Sequence, residues 1–236
     1  MTGTSTFLAA TFLLAAGTAE ASLFQGEGFG QFNLKNLPDN VPTVGEGRPV
    51  GDAYGGASTR GVDFLADTLA ESHPEIPQAA VRKVFNYLKK NPAHNMRYVT
   101  IIDMDKPSDE KRMYVINLQN GHVDKYLVAH GAGSGTGDMA ERFSDRNRSH
   151  QTSLGLYMTG SEYDGKHGRS LKLEGLEGSN DSAEARSVVL HGADYVSDDF
   201  ARRNGRVGNS WGCPAVDYRY RDEIIDKIGN GSIMRS

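Results

Sequence analysis

A single cysteine, Cys213, serves all 236 residues, so no disulfide can form within the chain and stability has to come from packing. A large excess of charge of either sign is lacking as well. The formal net charge is −4, with lysines and arginines scattered, and without a basic stripe to track a phosphate backbone no nucleic-acid partner is expected. Long hydrophobic runs are missing. The apolar run from Phe7 to Ala16 falls well short of the roughly 20 residues that cross a bilayer. His130, His167, His191 and Asp194 offer zinc-type ligands, but no H-E-x-x-H or comparable spacing joins them, so neither metal nor cofactor is expected. The glycine-rich stretch from His130 to Gly137 lacks the G-K-[ST] ending of a phosphate loop. A mobile wall of a cleft is the expectation there.

What is present begins with a leader. Phe7 to Ala16 is followed by Gly17-Thr18 and then Ala19-Glu20-Ala21, a short apolar region ending in an A-x-A site, although Met1 to Thr6 carries no Lys or Arg. Residues 1–21 therefore read as a signal peptide, with export to the periplasm or cell envelope and no stable membrane insertion once it is removed. Residues 22–60, rich in glycine with scattered Asn, Pro and Asp, read as a flexible arm. Residues 61–236 remain for one catalytic domain, with a core over 97–235.

Hydrophobic period divides that domain. Gly61 to Glu71 and Pro77 to Lys90 have helical spacing, with Val81, Val84, Phe85 and Leu88 on one face. From Arg97 the period becomes that of strands: Tyr98 to Asp103, Arg112 to Asn117, Val123 to His130, Leu154 to Met158, Ser170 to Leu173 and Ser187 to His191. Asn120-Gly121 marks a hairpin turn. Short helices are expected around Asp181 to Arg186 and over Tyr218 to Ile228. The fold class is mainly β with peripheral helices, an α+β domain preceded by two helices.

The chemistry concentrates at Cys213, within Gly208-Asn209-Ser210-Trp211-Gly212-Cys213-Pro214-Ala215, and at His191, which ends the run Val188-Val189-Leu190-His191-Gly192. A free thiol, with a pKa of about 8.5, needs a base or a positive neighbour to supply thiolate near neutral pH, and His191 is the candidate base. The two are too far apart for one helix or turn, so only the fold can join them. A buried, inert Cys213 is the competing reading. In an exported chain an unpaired cysteine is either shielded or used. Gly212 lets backbone approach a substrate, Pro214 fixes the chain direction, and Ser210 is placed to cap the turn that presents the thiol. His130 closes a strand as His191 does; it is either a second polar group of the site or a satisfied structural histidine.

At these residues the sequence resembles the murein L,D-transpeptidase catalytic family, in the branch whose signature runs His-Gly-Ala-x-Tyr-Val and then Ser-Trp-Gly-Cys-Pro-Ala. Val128-Ala129-His130-Gly131, Ser153-Leu154-Gly155-Leu156-Tyr157, Tyr163-x-Gly165-Lys166-His167-Gly168 and Leu171-x-Leu173-x-Gly175-Leu176-Glu177 extend the likeness over about residues 97 to 235. The resemblance implies a β-sandwich or barrel catalytic domain that acts on peptidoglycan stem peptides. A cysteine would attack the carbonyl between the diamino acid at position three and the terminal D-alanine, and an amine of a second stem would resolve the thioester. It assigns Cys213 as nucleophile, His191 as base and acid, the Gly212 and Cys213 amides as oxyanion donors, and the Gly192 carbonyl as holder of the imidazole tautomer. His130, Ser153, Tyr157, His167, Ser210, Trp211 and Arg206 are then the candidates to contact substrate. Two departures stand out. Trp211 replaces the histidine that the broader family places before Gly-Cys, and Pro214-Ala215-Val216 leaves no cation after it, so Arg202, Arg203 and Arg206 become candidates to receive a substrate carboxylate. Asn209 occupies a position where this branch has arginine. A hydrolase or L,D-carboxypeptidase using the same acyl-enzyme, and a wall-binding module without turnover, are the alternatives.

Overall fold

The computed structural model describes residues 59–236 apart from Pro92, so the expected signal peptide and almost all of the glycine-rich arm lie outside the described residues. Two helices lead, α1 (Thr59–Ser72) and α2 (Gln78–Lys90), followed by β1 (Tyr98–Ile102), β2 (Met113–Asn117), β3 (Val123–Tyr126), β4 (Leu156–Gly165), β5 (Gly168–Gly175) and β6 (Val189–Ala193). Then come α3 (Asp198–Asn204), β7 (Ala215–Asp217), α4 (Tyr218–Ile228) and β8 (Ile233–Arg235). None of the described helices is long and apolar enough to cross a membrane.

The strands form one sheet of eight, in the order β3-β2-β1-β8-β4-β5-β6-β7. Pairing is antiparallel except between β1 and β8 and between β6 and β7. Beyond β3, Ala129 forms an isolated antiparallel bridge to Ala215 of β7, linking the segment that leaves one edge strand to the other edge strand at a single point.

Alternating side chains feed two cores, because successive residues of a strand point to opposite faces. Met113, Val115, Tyr157 and Leu190 pack on one face with Ile224, Ile225 and Ile228 of α4. Tyr114, Ile116, Val99, Ile101 and Leu156 pack on the other, under Val81, Val84, Phe85 and Leu88 of α2. Each fully buried aliphatic contributes about 1.5–3 kcal/mol, and truncating one such as Ile101 to Ala would cost about 2–5 kcal/mol. A third, small cluster joins Leu127, Ala129, Ala193, Ala201 and Ala215 on the outer side of β6 and β7.

Two readings of the sequence are corrected. Residues 181–187 are a succession of turns and no helix. Their amides reach back over different spans, Ala183 to the Asn180 carbonyl, Arg186 to Ser182 and Val188 to Ala183, and the Asp145 carboxylate accepts the Ser182 amide at 2.6 Å. A regular four-residue ladder therefore never starts. The glycine-rich wall is not loose. Gly133 donates to the His150 carbonyl at 2.9 Å, Ser134 Oγ accepts the Thr152 amide at 2.9 Å, and the Ser134 carbonyl takes the amides of Glu141 and Arg142. Strands β7 and β8, each three residues, and the short α3 carry too little periodicity to stand out in the sequence.

Candidate active site

Strand β6 places His191 beside Ala215 of β7, two residues after Cys213, so parallel pairing delivers the thiol loop to the strand that carries the imidazole. The loop is held from behind. Ser210 donates its amide to the His130 carbonyl at 3.1 Å and accepts the Ala132 amide at 2.8 Å, forming a bridge between Gly131 and Ser210. A Cβ on Gly131 would lie 2.9 Å from Gly212 Cα, so the two glycines let the backbones touch. Gly212 itself has φ +113 and would push a Cβ to 2.7 Å from the Gln151 carbonyl oxygen. Only glycine suits that combination.

His191 is buried, and its Nδ1 lies 2.9 Å from the Gly192 carbonyl oxygen. A carbonyl only accepts, so Nδ1 carries the proton and Nε2 keeps its lone pair. His167, at the tip of the β4–β5 hairpin, stacks on this ring with centroids 4.2 Å apart and planes 21° apart. Burial first, then the nearby His167 and Lys166 charges, hold the His191 pKa below its ordinary value against the pull of the Gly192 carbonyl. Cys213 is half-buried. Its Sγ donates to the Ser187 carbonyl at 3.7 Å, and among the described residues no hydrogen bond joins it to the imidazole. Burial pushes the thiol pKa up, while the Val189 amide and the Arg186 charge pull it down. Both shifts favour the neutral thiol and the neutral imidazole near pH 7.

The oxyanion donors need correction. The Gly212 amide is already committed to Ser210 Oγ at 3.1 Å, while the same hydroxyl donates to the Cys213 carbonyl at 2.6 Å. The Cys213 amide has no acceptor among the described residues and is the donor left for an oxyanion.

The other candidate residues divide by position. Trp211 stands 73% exposed, stacked on His150 with centroids 4.7 Å apart and planes 6° apart. His167 covers His191. Ser210 builds the turn. Ser153 and Tyr157 are buried, the Tyr157 hydroxyl donating to Ser153 O at 2.7 Å and lying 3.1 Å from Ser153 Oγ; both serve the wall behind the loop. His130 is fully buried between Arg112, whose Nη2 lies 2.9 Å from Nδ1, and the Gly135 carbonyl 3.2 Å from Nε2. A guanidinium only donates, so this ring is neutral with its proton on Nε2, and burial followed by the Arg112 charge pushes its pKa down to about 4. Of the two roles left open for His130, the structure places it in the structural one. Arg206 donates to the Val207 carbonyl and to Asn209 Oδ1 at 3.0 Å, so the cation and the asparagine form one unit. Arg202 pairs with Asp199 on exposed α3. Among the described residues no three His, Cys, Asp or Glu side chains converge as a metal site.

One residue near the thiol was missed in the sequence. Arg186 is buried beneath Gly212, and its sole sequence signal, a place five residues before His191, is no pattern at all.

A family model described as the L,D-transpeptidase catalytic domain matches residues 71–236. Among solved structures, an L,D-transpeptidase from Mycobacterium smegmatis aligns with TM-score 0.36 and 12% identity over 59% of this chain and 58% of that one. An L,D-transpeptidase in complex with imipenem aligns with TM-score 0.36 and 13% identity over 59% of this chain and 58% of that one. L,D-transpeptidase 1 of Mycobacterium tuberculosis aligns with TM-score 0.32 and 12% identity over 58% of this chain and 60% of that one. The matched region spans less than two thirds of each of those structures. No curated protein matches the chain.

Proposed function

The chain belongs to the L,D-transpeptidase catalytic-domain family, and from that premise we propose that it is an exported peptidoglycan L,D-transpeptidase working through a Cys213 acyl-enzyme. The observation that carries the reading is the His191 Nδ1 contact to the Gly192 carbonyl at 2.9 Å. It orients the ring and leaves Nε2 as a base on the strand next to the thiol loop, the orienting task that a carboxylate performs in other triads.

On this mechanism the Cys213 sulfur leaves its 3.7 Å contact with the Ser187 carbonyl and meets Nε2. The sulfur attacks the carbonyl between the diamino acid at position three and the terminal D-alanine, and its proton passes to Nε2. The Cys213 amide receives the developing oxyanion. Collapse breaks the peptide bond, the imidazolium returns the proton to the departing D-alanine amine, and a thioester remains. An acceptor amine, deprotonated by the same Nε2, then displaces sulfur and forms the new amide. Peptidoglycan lies outside the cytoplasmic membrane, so the proposed workplace is the periplasm or cell envelope.

Intact-protein mass spectrometry after incubation with a tetrapeptide stem tests this directly. The expected result is a mass increase equal to the stem less D-alanine, mapped to Cys213 and absent in Cys213→Ala. A protein that stays unmodified while D-alanine is neither released nor exchanged would overturn the proposal. Adding an acceptor amine separates transfer from hydrolysis, because a hydrolase gives the tripeptide with or without it.

A further inference from the structure

Arg186 lies in the run of turns between β5 and β6, with a side chain only 5% exposed. One end of its guanidinium, Nη1, donates to the Ser144 carbonyl at 3.1 Å, Asp145 Oδ1 at 2.9 Å and Ser153 Oγ at 2.9 Å. The other, Nη2, donates to the Gln151 carbonyl at 2.6 Å. Nη2 and that same Gln151 oxygen lie 3.0 and 2.7 Å from the point where a Gly212 Cβ would stand. The guanidinium is therefore the floor under the nucleophile loop. Its terminal nitrogens are engaged by protein, so it is not open to a substrate carboxylate.

The groups that face the thiol make this cation the distinctive one. From β6 comes the Val189 amide; from the turn after β6 comes Tyr195, whose phenol burial and the Cys213 charge push up to about 12. Tyr195 is thus uncharged near neutrality. Asp145 supplies the compensating anion, held below its ordinary pKa by the Ser182 amide and Arg186 despite burial. Buried charge acts at long reach because little water screens it.

We propose that Arg186 is a positioning residue for the nucleophile, fixing the Gly212-Cys213 turn from beneath and supplying the positive field in which the Cys213 thiolate forms. The inference rests on the reading of Cys213 as the nucleophile. Alkylation by iodoacetamide as a function of pH reads the thiol's ionisation midpoint without any peptidoglycan. In Arg186→Gln the midpoint is expected to move to higher pH, and alkylation at neutral pH to slow by roughly three- to tenfold; Arg186→Lys recovers part of that loss. Asp145→Asn removes the counter-charge and is expected to move the midpoint to lower pH; set beside the double variant Arg186→Gln/Asp145→Asn, it separates the effect of the cation from that of the carboxylate. A folded Arg186→Gln with the parent midpoint overturns the inference; if Arg186→Gln does not fold, the neutral double variant Arg186→Gln/Asp145→Asn is compared with Asp145→Asn, and equal midpoints overturn it. Shifted midpoints together with no acyl adduct on a stem peptide would sustain the role of Arg186 while removing the transpeptidase reading.

Discussion

Ser210 Oγ donates to the carbonyl of Cys213 at 2.6 Å while accepting the amide of Gly212 at 3.1 Å. One hydroxyl thus ties the Gly212 amide to the Cys213 carbonyl across the turn. The turn that presents the thiol is closed by a side chain three residues upstream.

Ser210→Ala is expected to leave the buried Gly212 amide without an acceptor, a cost of about 1–3 kcal/mol. Urea unfolding should show the lost stability, and acylation of Cys213 should fall in the same variant. Ser210→Thr keeps the oxygen and should retain most of both. Parent-like unfolding and acylation in Ser210→Ala would contradict the role given to this hydroxyl.

The pH dependence of acylation follows from two shifts. The proposed mechanism uses a neutral His191, whose pKa is depressed below the usual 6.5, so acylation should rise with pH through a midpoint below 6.5 and level off by neutrality. Without substrate, thiol alkylation should rise only at alkaline pH, because the Cys213 pKa is raised above 9.0. Stopped-flow acylation and alkylation over the same pH range measure both. A single shared midpoint near 6 would instead indicate a preformed thiolate–imidazolium pair.

Trp211, exposed and stacked on His150, is expected to serve substrate capture and not stability. Trp211→Ala should leave the unfolding midpoint within the range of a surface change, about ±0.5 kcal/mol. The apparent KM for stem peptide should rise severalfold, in line with about 0.5–1.5 kcal/mol for a lost aromatic contact. Steady-state kinetics with kcat little changed would support it; unchanged KM would remove Trp211 from the substrate surface.

His130 makes an acid-stability prediction. Its folded pKa is depressed to about 4 from 6.5, so between those values the unfolded chain binds the proton and the folded chain does not. Stability therefore rises with pH across this window and is lost as pH falls from 6.5 towards 4. Gln at this position can accept from Arg112 or donate to Gly135 but has no proton to gain, so His130→Gln should lose part of the slope. Urea midpoints at pH 7 and pH 4.5 for parent and variant test it; equal changes in both would show that other groups set the acid limit.

Much of the fold was legible because its causes are local. The four apolar positions of α2 share a helical face and are buried together, and β1, β2, β4 and β5 were visible as alternating or β-branched runs bounded by turns. Where local cues were weak the reading failed. Residues 181–187 have helix-like composition, but their amides reach back over three, four and five residues, so no single helical register is set. β8 owes its identity to neighbours: three residues become a central strand because β1 and β4 offer backbone partners on either side.

By itself, the sequence determined the reagents: one thiol, a glycine before it that tolerates φ +113, and a histidine in a strand-forming run followed by the carbonyl that fixes its tautomer; the structure sets that histidine in the middle of β6, not at its end, with the thiol in the loop before β7. The tertiary structure decided how those reagents are tuned. Folding set Arg186 under Gly212, laid His167 over His191, withdrew the Gly212 amide into a bond with Ser210, and buried His130 against Arg112. These outcomes depend on burial and on partners brought from distant segments, and both pKa and hydrogen-bond availability are properties of that assembled environment.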